Sequence, residues 1–208
     1  VGSRNPSRLG RDNAFEFSRF LAHGGLTITS GLSDGINSAA HQGALAVEGK
    51  TLSVMGSGLD RVYPEKQYAL AQDIVQEGAL VSEFALGTPL RPENFPRRNR
   101  LISGLSLGVL VVEASSRSSS LGTARMALEQ GREVFSIPGS IHNPLAKGCH
   151  QLIREGAKLV EKAEDIIEEL GALAGVVEVL ETKEATVNNG PQTLDSDYQL
   201  LFTCLGYD

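Results

Sequence analysis

Four apolar residues in a row, Val109-Leu110-Val111-Val112, stand between Gly108 and Glu113. A strand with no polar residue on either side is buried on both faces, which is the condition of a strand inside a parallel sheet. Parallel strands cannot be closed by hairpins, so each needs a crossover, usually a helix. The chain supplies them. Helical patterns over 7–25, 36–47, 66–77, 99–105, 121–130, 149–155 and 163–170 alternate with strand-like runs at 26–29, 51–55, 79–82, 107–112, 133–137 and 157–160. This alternation predicts an α/β fold: a mostly parallel sheet with helices on both faces. The 23 glycines and 5% aromatics suit many tight strand–helix turns, and 208 residues at 41% hydrophobic suffice for one ordinary core. The pattern fades after 171. Residues 172–193 read as a linker and 194–208 as the first helix of a further module. Val1 reads as the end of a strand, so both chain ends look cut and a longer parent protein is expected.

The chain is acidic, with a formal net charge of −6. A general nucleic-acid coat is therefore unsupported, and any anion site must be local. One stretch reverses the sign: Arg91, Arg97, Arg98 and Arg100 fall within ten residues beside a single acid, Glu93. Phe95-Pro96 precedes the cluster and Leu101-Ile102 follows it, which pins the charges against core. Downstream, the serine-rich turn Ser115–Ser120 opens a helix through Thr123. A helix start presents free N–H groups and a favourable dipole to phosphate. Further turns after strands bring Gly2-Ser3-Arg4, Gly31, and Gly56 with Gly58 to the same edge, where ligands of open α/β folds sit. The arrangement points to phosphate recognition by Arg4 and the clustered arginines, and Phe95 is placed to stack on a base.

Rival chemistries find less support. Gly56-Ser57-Gly58 lacks the third glycine of a dinucleotide fingerprint, because residue 61 is Arg. His41 could serve as a base, but no nucleophile is spaced with it, so packing or capping fits it better. There is no P-loop lysine, no HExxH, no nucleophile elbow and no Cys/His metal spacing. No catalytic residue, cofactor or metal is expected. Cys149 and Cys204 fall in no motif, which suits a reducing cytoplasm. No apolar run approaches membrane-spanning length.

The segments GSR at 2–4, SGLSDGI at 30–36, AAHQGAL at 39–45, GSGLDRVYP at 56–64, SEF at 82–84, FPRRNRLISGLS at 95–106, VVEA at 111–114 and PGS at 138–140 resemble the DNA-processing protein DprA (Smf) family. The likeness runs from Val1 to Leu170. It implies an extended Rossmann-like fold and a non-catalytic protein. Such a protein binds single-stranded DNA, loads the recombinase RecA onto it and protects incoming DNA in natural transformation. By position, it assigns DNA contacts to Arg4, Arg91, Arg98, Arg100 and the serine turn. We group Gly2, Ser3, Gly31, Gly56, Gly58, Phe95, Arg97, Asn99, Ser118, Ser120 and Thr123 with them as candidates.

Two positions depart from the family pattern. Glu65 stands where some members carry a basic residue, so Lys66 is the candidate there, and Ser119 replaces a glycine of the serine turn. The resemblance also implies a homodimer whose face overlaps the RecA-contacting surface, at Leu128, His150, Ile153 and Leu159. It implies a winged-helix module after the linker and an N-terminal module before Val1. Two readings of other classes stay open. One is a nucleotide phosphoribohydrolase, on the faint match of Leu121-Gly122-Thr123 and Glu129 to a PGGxGT turn with its glutamates. The other is a nucleotide-sensing module.

Overall fold

The structure, a computed structural model, describes residues 1–174. The linker expected at 172–193 therefore lies almost wholly outside the described residues, and the helix expected at 194–208 lies outside them altogether. Helices and strands alternate as the pattern predicts. They are α1 (Arg8–His23), β1 (Ile28–Gly31), α2 (Ile36–Leu45), β2 (Thr51–Val54), α3 (Tyr68–Glu77), β3 (Ala79–Val81), α4 (Asn94–Gly104), β4 (Gly108–Val111), α5 (Ser119–Glu129), β5 (Glu133–Ser136), α6 (Lys147–Arg154), β6 (Lys158–Leu159) and α7 (Glu164–Ala174).

Every strand pairing is parallel, but the ladder falls into two three-stranded halves, β1-β2-β3 and β4-β5-β6. Between them lies an apolar cavity of about 330 Å³, lined by Ile28, Ser30, Ile36, Val109, Leu110 and Phe135 among others. Val1 runs along β4 on that side. Its amino nitrogen donates to the Leu110 carbonyl at 2.8 Å and its carbonyl accepts from Val112 N–H at 3.2 Å.

The helices form where burial and capping agree. On α1 the buried positions Gly10, Ala14, Phe17, Ser18 and Leu21 follow the helical period. Ser7 caps this helix, accepting from Gly10 N–H at 3.0 Å. Glu113, just past β4, holds that cap: its carboxylate accepts from the Ser7 hydroxyl at 2.6 Å and from Ser7 N–H at 2.8 Å. Gly43 of α2 packs directly on the α1 backbone at Phe15, leaving no room for a side chain.

Helix boundaries shift by up to five residues from the sequence reading, and two of the shifts bear on the site. The helix expected from Asn99 begins at Asn94. Pro96 does not prevent this, because N–H groups in a helix's first turn have no intrahelical partner to lose. The helix expected from Lys66 begins at Tyr68, with Glu65–Gln67 forming a 3-10 turn before it.

His41 of α2 is fully buried. The Thr51 hydroxyl donates to the Ile28 carbonyl at 2.7 Å, so it accepts from His41 Nδ1 at 2.7 Å, and Nε2 is left without a partner. Burial lowers the imidazole pKa from 6.5 to about 4. Above pH 6.5 His41 is neutral in both states and adds no pH dependence. Between pH 6.5 and about 4 the unfolded chain takes up a proton that the folded chain refuses, so stability falls by up to about 3 kcal/mol. Urea titrations over this range should show that slope, and His41→Gln should flatten it. Parallel slopes would mean that the imidazole titrates normally.

Candidate nucleic-acid interface

At the carboxyl ends of β1, β2 and β4 three hollows adjoin. The first, about 280 Å³, is lined by Gly2, Ser3, Arg4, Phe95, Arg98, Asn99, Ser118, Ser120 and Thr123, with Asn37 and Ser33. The second, about 130 Å³, is lined by Ser33, Asp34, Gly56, Ser57 and Tyr63. The third is a trough of about 840 Å³ that includes Arg61, Tyr63, Tyr68 and Arg91. Arg4 and Phe95 line all three.

The arginine cluster divides by the period of α4. Phe95, Arg98, Asn99 and Ile102 lie on the face that lines the first hollow. Arg97 and Arg100 lie on another face. Arg97 stacks on the Phe84 ring at 5.2 Å to its centroid, and Arg100 pairs with Glu83. The structure thus brings Arg98 and Arg4 together around Phe95, with centroid distances of 5.7 and 4.6 Å, and keeps Arg97 and Arg100 away from the hollows.

Arg98 is 5% exposed, although a charged side chain of this kind is seldom so buried without a partner. Among the described residues, no carboxylate lies within 4.0 Å of it, and none lies so close to Arg4 or Arg91. Its Nη1 donates to the Val54 carbonyl at 2.9 Å and its Nε to Asn99 Oδ1 at 3.0 Å. Burial, and then the nearby charge of Arg4, lower its pKa to about 10, so it remains a cation at neutral pH. A buried cation with no acid beside it is costly, and an anion in the adjoining hollow would relieve that cost.

The serine turn works chiefly through its backbone. Ser118 caps α5, accepting from Ser120 N–H at 3.2 Å, and the Ser120 hydroxyl donates to the Gly2 carbonyl at 3.1 Å. The Ser120 hydroxyl thus holds the turn against Gly2-Ser3-Arg4, and the α5 N-terminus faces the hollow.

The glycines are explained by packing. A Cβ at Gly31 would lie 1.6 Å from Arg98 Nη1, one at Gly2 would meet the Glu113 carbonyl, one at Gly56 would meet Leu90, and one at Gly58 would meet the Ala85 carbonyl. Gly31 and Gly58 are absent from the lining of the three hollows, and so is Lys66, which pairs with Asp34 at 2.9 Å. Burial alone would raise the Asp34 carboxyl, but hydrogen bonds from Lys66 and Gln67 hold it below the usual range.

Sequence reasoning missed Asn37 as a site residue. It is 8% exposed, lines the first hollow, and its Oδ1 has no partner. The available signal was weak: an amide on an alanine-rich helix, one turn before His41. Tyr63 and Tyr68 were missed as well.

The family model for DNA recombination-mediator protein A matches residues 1–171. The chain belongs to that family. It is 54% identical over 171 residues to Protein Smf of Escherichia coli (strain K12), covering 82% of this chain and 46% of the relative. It is 46% identical over 169 residues to the DNA processing protein DprA of Streptococcus pneumoniae (strain ATCC BAA-255 / R6), covering 81% and 60%. The chain thus spans about half the length of these curated relatives. The X-ray structure of the Streptococcus pneumoniae DprA superposes with a TM-score of 0.75 at 44% identity, covering 81% of this chain and 59% of that one. A structure of the Helicobacter pylori DprA, described for its single-stranded DNA binding mode, gives 0.75 at 27%, covering 82% and 77%. The Rossmann-like fold of this family is therefore that of residues 1–171.

Gly31→Ala tests how tightly Arg98 is seated. Its methyl would displace the guanidinium from the Val54 carbonyl, so the urea midpoint should fall by the equivalent of about 1–3 kcal/mol. An unchanged midpoint would show that Arg98 has room to move.

Proposed function

We propose that this chain is the single-stranded DNA-binding part of a recombination mediator that serves DNA processing in natural transformation. The observation that carries this reading is the pair of cations, Arg4 and Arg98, set about the Phe95 ring at a helix N-terminus with no carboxylate partner among the described residues. Phosphates would lie on Arg4, on Arg91 and beside Arg98, so binding is largely independent of sequence. The family relation and the Helicobacter pylori structure support the ligand class. The role is recognition without catalysis, and the chain would deliver its DNA to RecA.

The proposed assembly is a homodimer. Leu128 and Leu159 are 49% and 44% exposed on α5 and β6, so they are available to a partner rather than buried in the core. Ile153 is half-buried on α6. His150 shares that helix, and its ring nitrogen lies 2.9 Å from the Gly139 carbonyl. Leu128→Glu should shift the sedimentation of the chain towards monomer, and an unmoved profile would remove that face from the interface.

Fluorescence anisotropy with labelled oligo-dT tests the DNA reading. Three neutralised phosphates predict that log K falls with log salt at a slope of roughly −2. Arg4→Ala and Arg91→Ala should each weaken binding by about tenfold and flatten the slope by roughly 0.7, with little change in thermal stability because both side chains are exposed. A flat salt response would defeat the phosphate argument. A mononucleotide that outcompetes the oligonucleotide would favour a nucleotide sensor.

A further inference from the structure

We propose that Tyr63 and Tyr68 form a base-stacking wall, so that bases of single-stranded nucleic acid leave the phosphate hollow and lie against it. This inference rests on the DNA-binding reading and extends it to bases. It begins with exposure. The chain holds only four tyrosines, seven phenylalanines and no tryptophan. Phe17 and Phe135 are buried in the core, as an aromatic side chain ordinarily is, whereas Tyr63 and Tyr68 are 60% and 58% exposed. Both rings line one trough of about 840 Å³ that continues from the hollow around Arg4 and Phe95.

Their backbone is fixed. Tyr68 is the first residue of α3. The turn before Tyr63 is closed by the Ser57 hydroxyl, which donates to the Arg61 carbonyl at 2.7 Å, and by Arg61 N–H donating to the Gly58 carbonyl at 3.0 Å. Gln67, next to Tyr68, donates to Asp34 at 2.6 Å. Exposed rings on a held backbone present their faces at small entropic cost, and every base has a face to match.

Charge selects the occupant and its orientation. Arg4 and Arg91 line the trough without an acid partner among the described residues, whereas Glu65 falls between the two tyrosines in sequence. The other acid there, Asp60, is engaged by Gly87 N–H at 2.8 Å and lies 4.0 Å from Arg61 Nε. A polyanion whose backbone follows Arg4 and Arg91 turns its neutral bases towards the tyrosines and keeps its phosphates from Glu65. An acidic peptide offers the charge without the flat faces.

The test compares two labelled probes with equal numbers of phosphates, an oligo-dT and the same length of abasic sugar-phosphate. The wild-type chain should bind oligo-dT about tenfold more tightly than the abasic strand. Tyr63→Ala and Tyr68→Ala should lose most of that advantage while leaving affinity for the abasic strand unchanged, and Tyr63→Phe and Tyr68→Phe should restore it. Equal wild-type affinity for both probes, with the salt dependence intact, overturns the stacking wall and leaves the phosphate site standing. Equal loss on both probes in the alanine variants also overturns it, since the rings would then be supporting the arginines. No binding of either probe ends both proposals.

Discussion

The Arg98 guanidinium, held against the Val54 carbonyl over the bare backbone of Gly31, is the interaction on which the rest of the site depends. It joins α4 to the carboxyl ends of β1 and β2, two strands of one half-sheet. Because the charge is buried and meets no acid among the described residues, it also sets the electrostatic sign of the hollows before any ligand arrives. Arg4, over the same Phe95 ring, reinforces that sign. The same group therefore fastens the scaffold and supplies the field, and the two roles cannot be varied independently.

Much of the architecture was legible in the sequence, because short doubly apolar runs and helix-length crossovers admit few alternatives to a parallel sheet. The split into two half-sheets was not legible, since pairing depends on which edges meet in space. In the candidate site, residue types could be read but orientation could not. Arg97, Arg98 and Arg100 look equivalent as a string. Starting α4 five residues earlier than expected sends Arg98 inward and the other two towards Phe84 and Glu83. The glycines grouped with the site make room for Arg98, Leu90 or a carbonyl, and Gly2 and Gly56 also line the hollows. Asn37 escaped notice because its place on an alanine-rich helix does not reveal that its oxygen will lack a partner.

The three hollows share walls, so the surface is continuous rather than three separate pockets. Its character changes along its length. Near the α5 N-terminus it is made of backbone, serine and cation, which suits phosphate. Towards α3 it is aromatic and less basic, which suits bases. A flexible polymer with both chemistries in every repeat unit matches such a gradient better than a compact ligand does.

Glu113 gives the Arg4 turn a property that no single contact conveys. Its carbonyl accepts from Ser3 N–H at 2.7 Å and its carboxylate holds Ser7, so the loop between is pinned at both ends by one residue that is more than a hundred positions away. The loop's freedom is thus surrendered when the chain folds rather than when a ligand arrives, and little ordering entropy is left to oppose association. Because those tethers reach across more than a hundred positions, the shape of the turn is set by tertiary contact with the end of β4 rather than by its own short sequence.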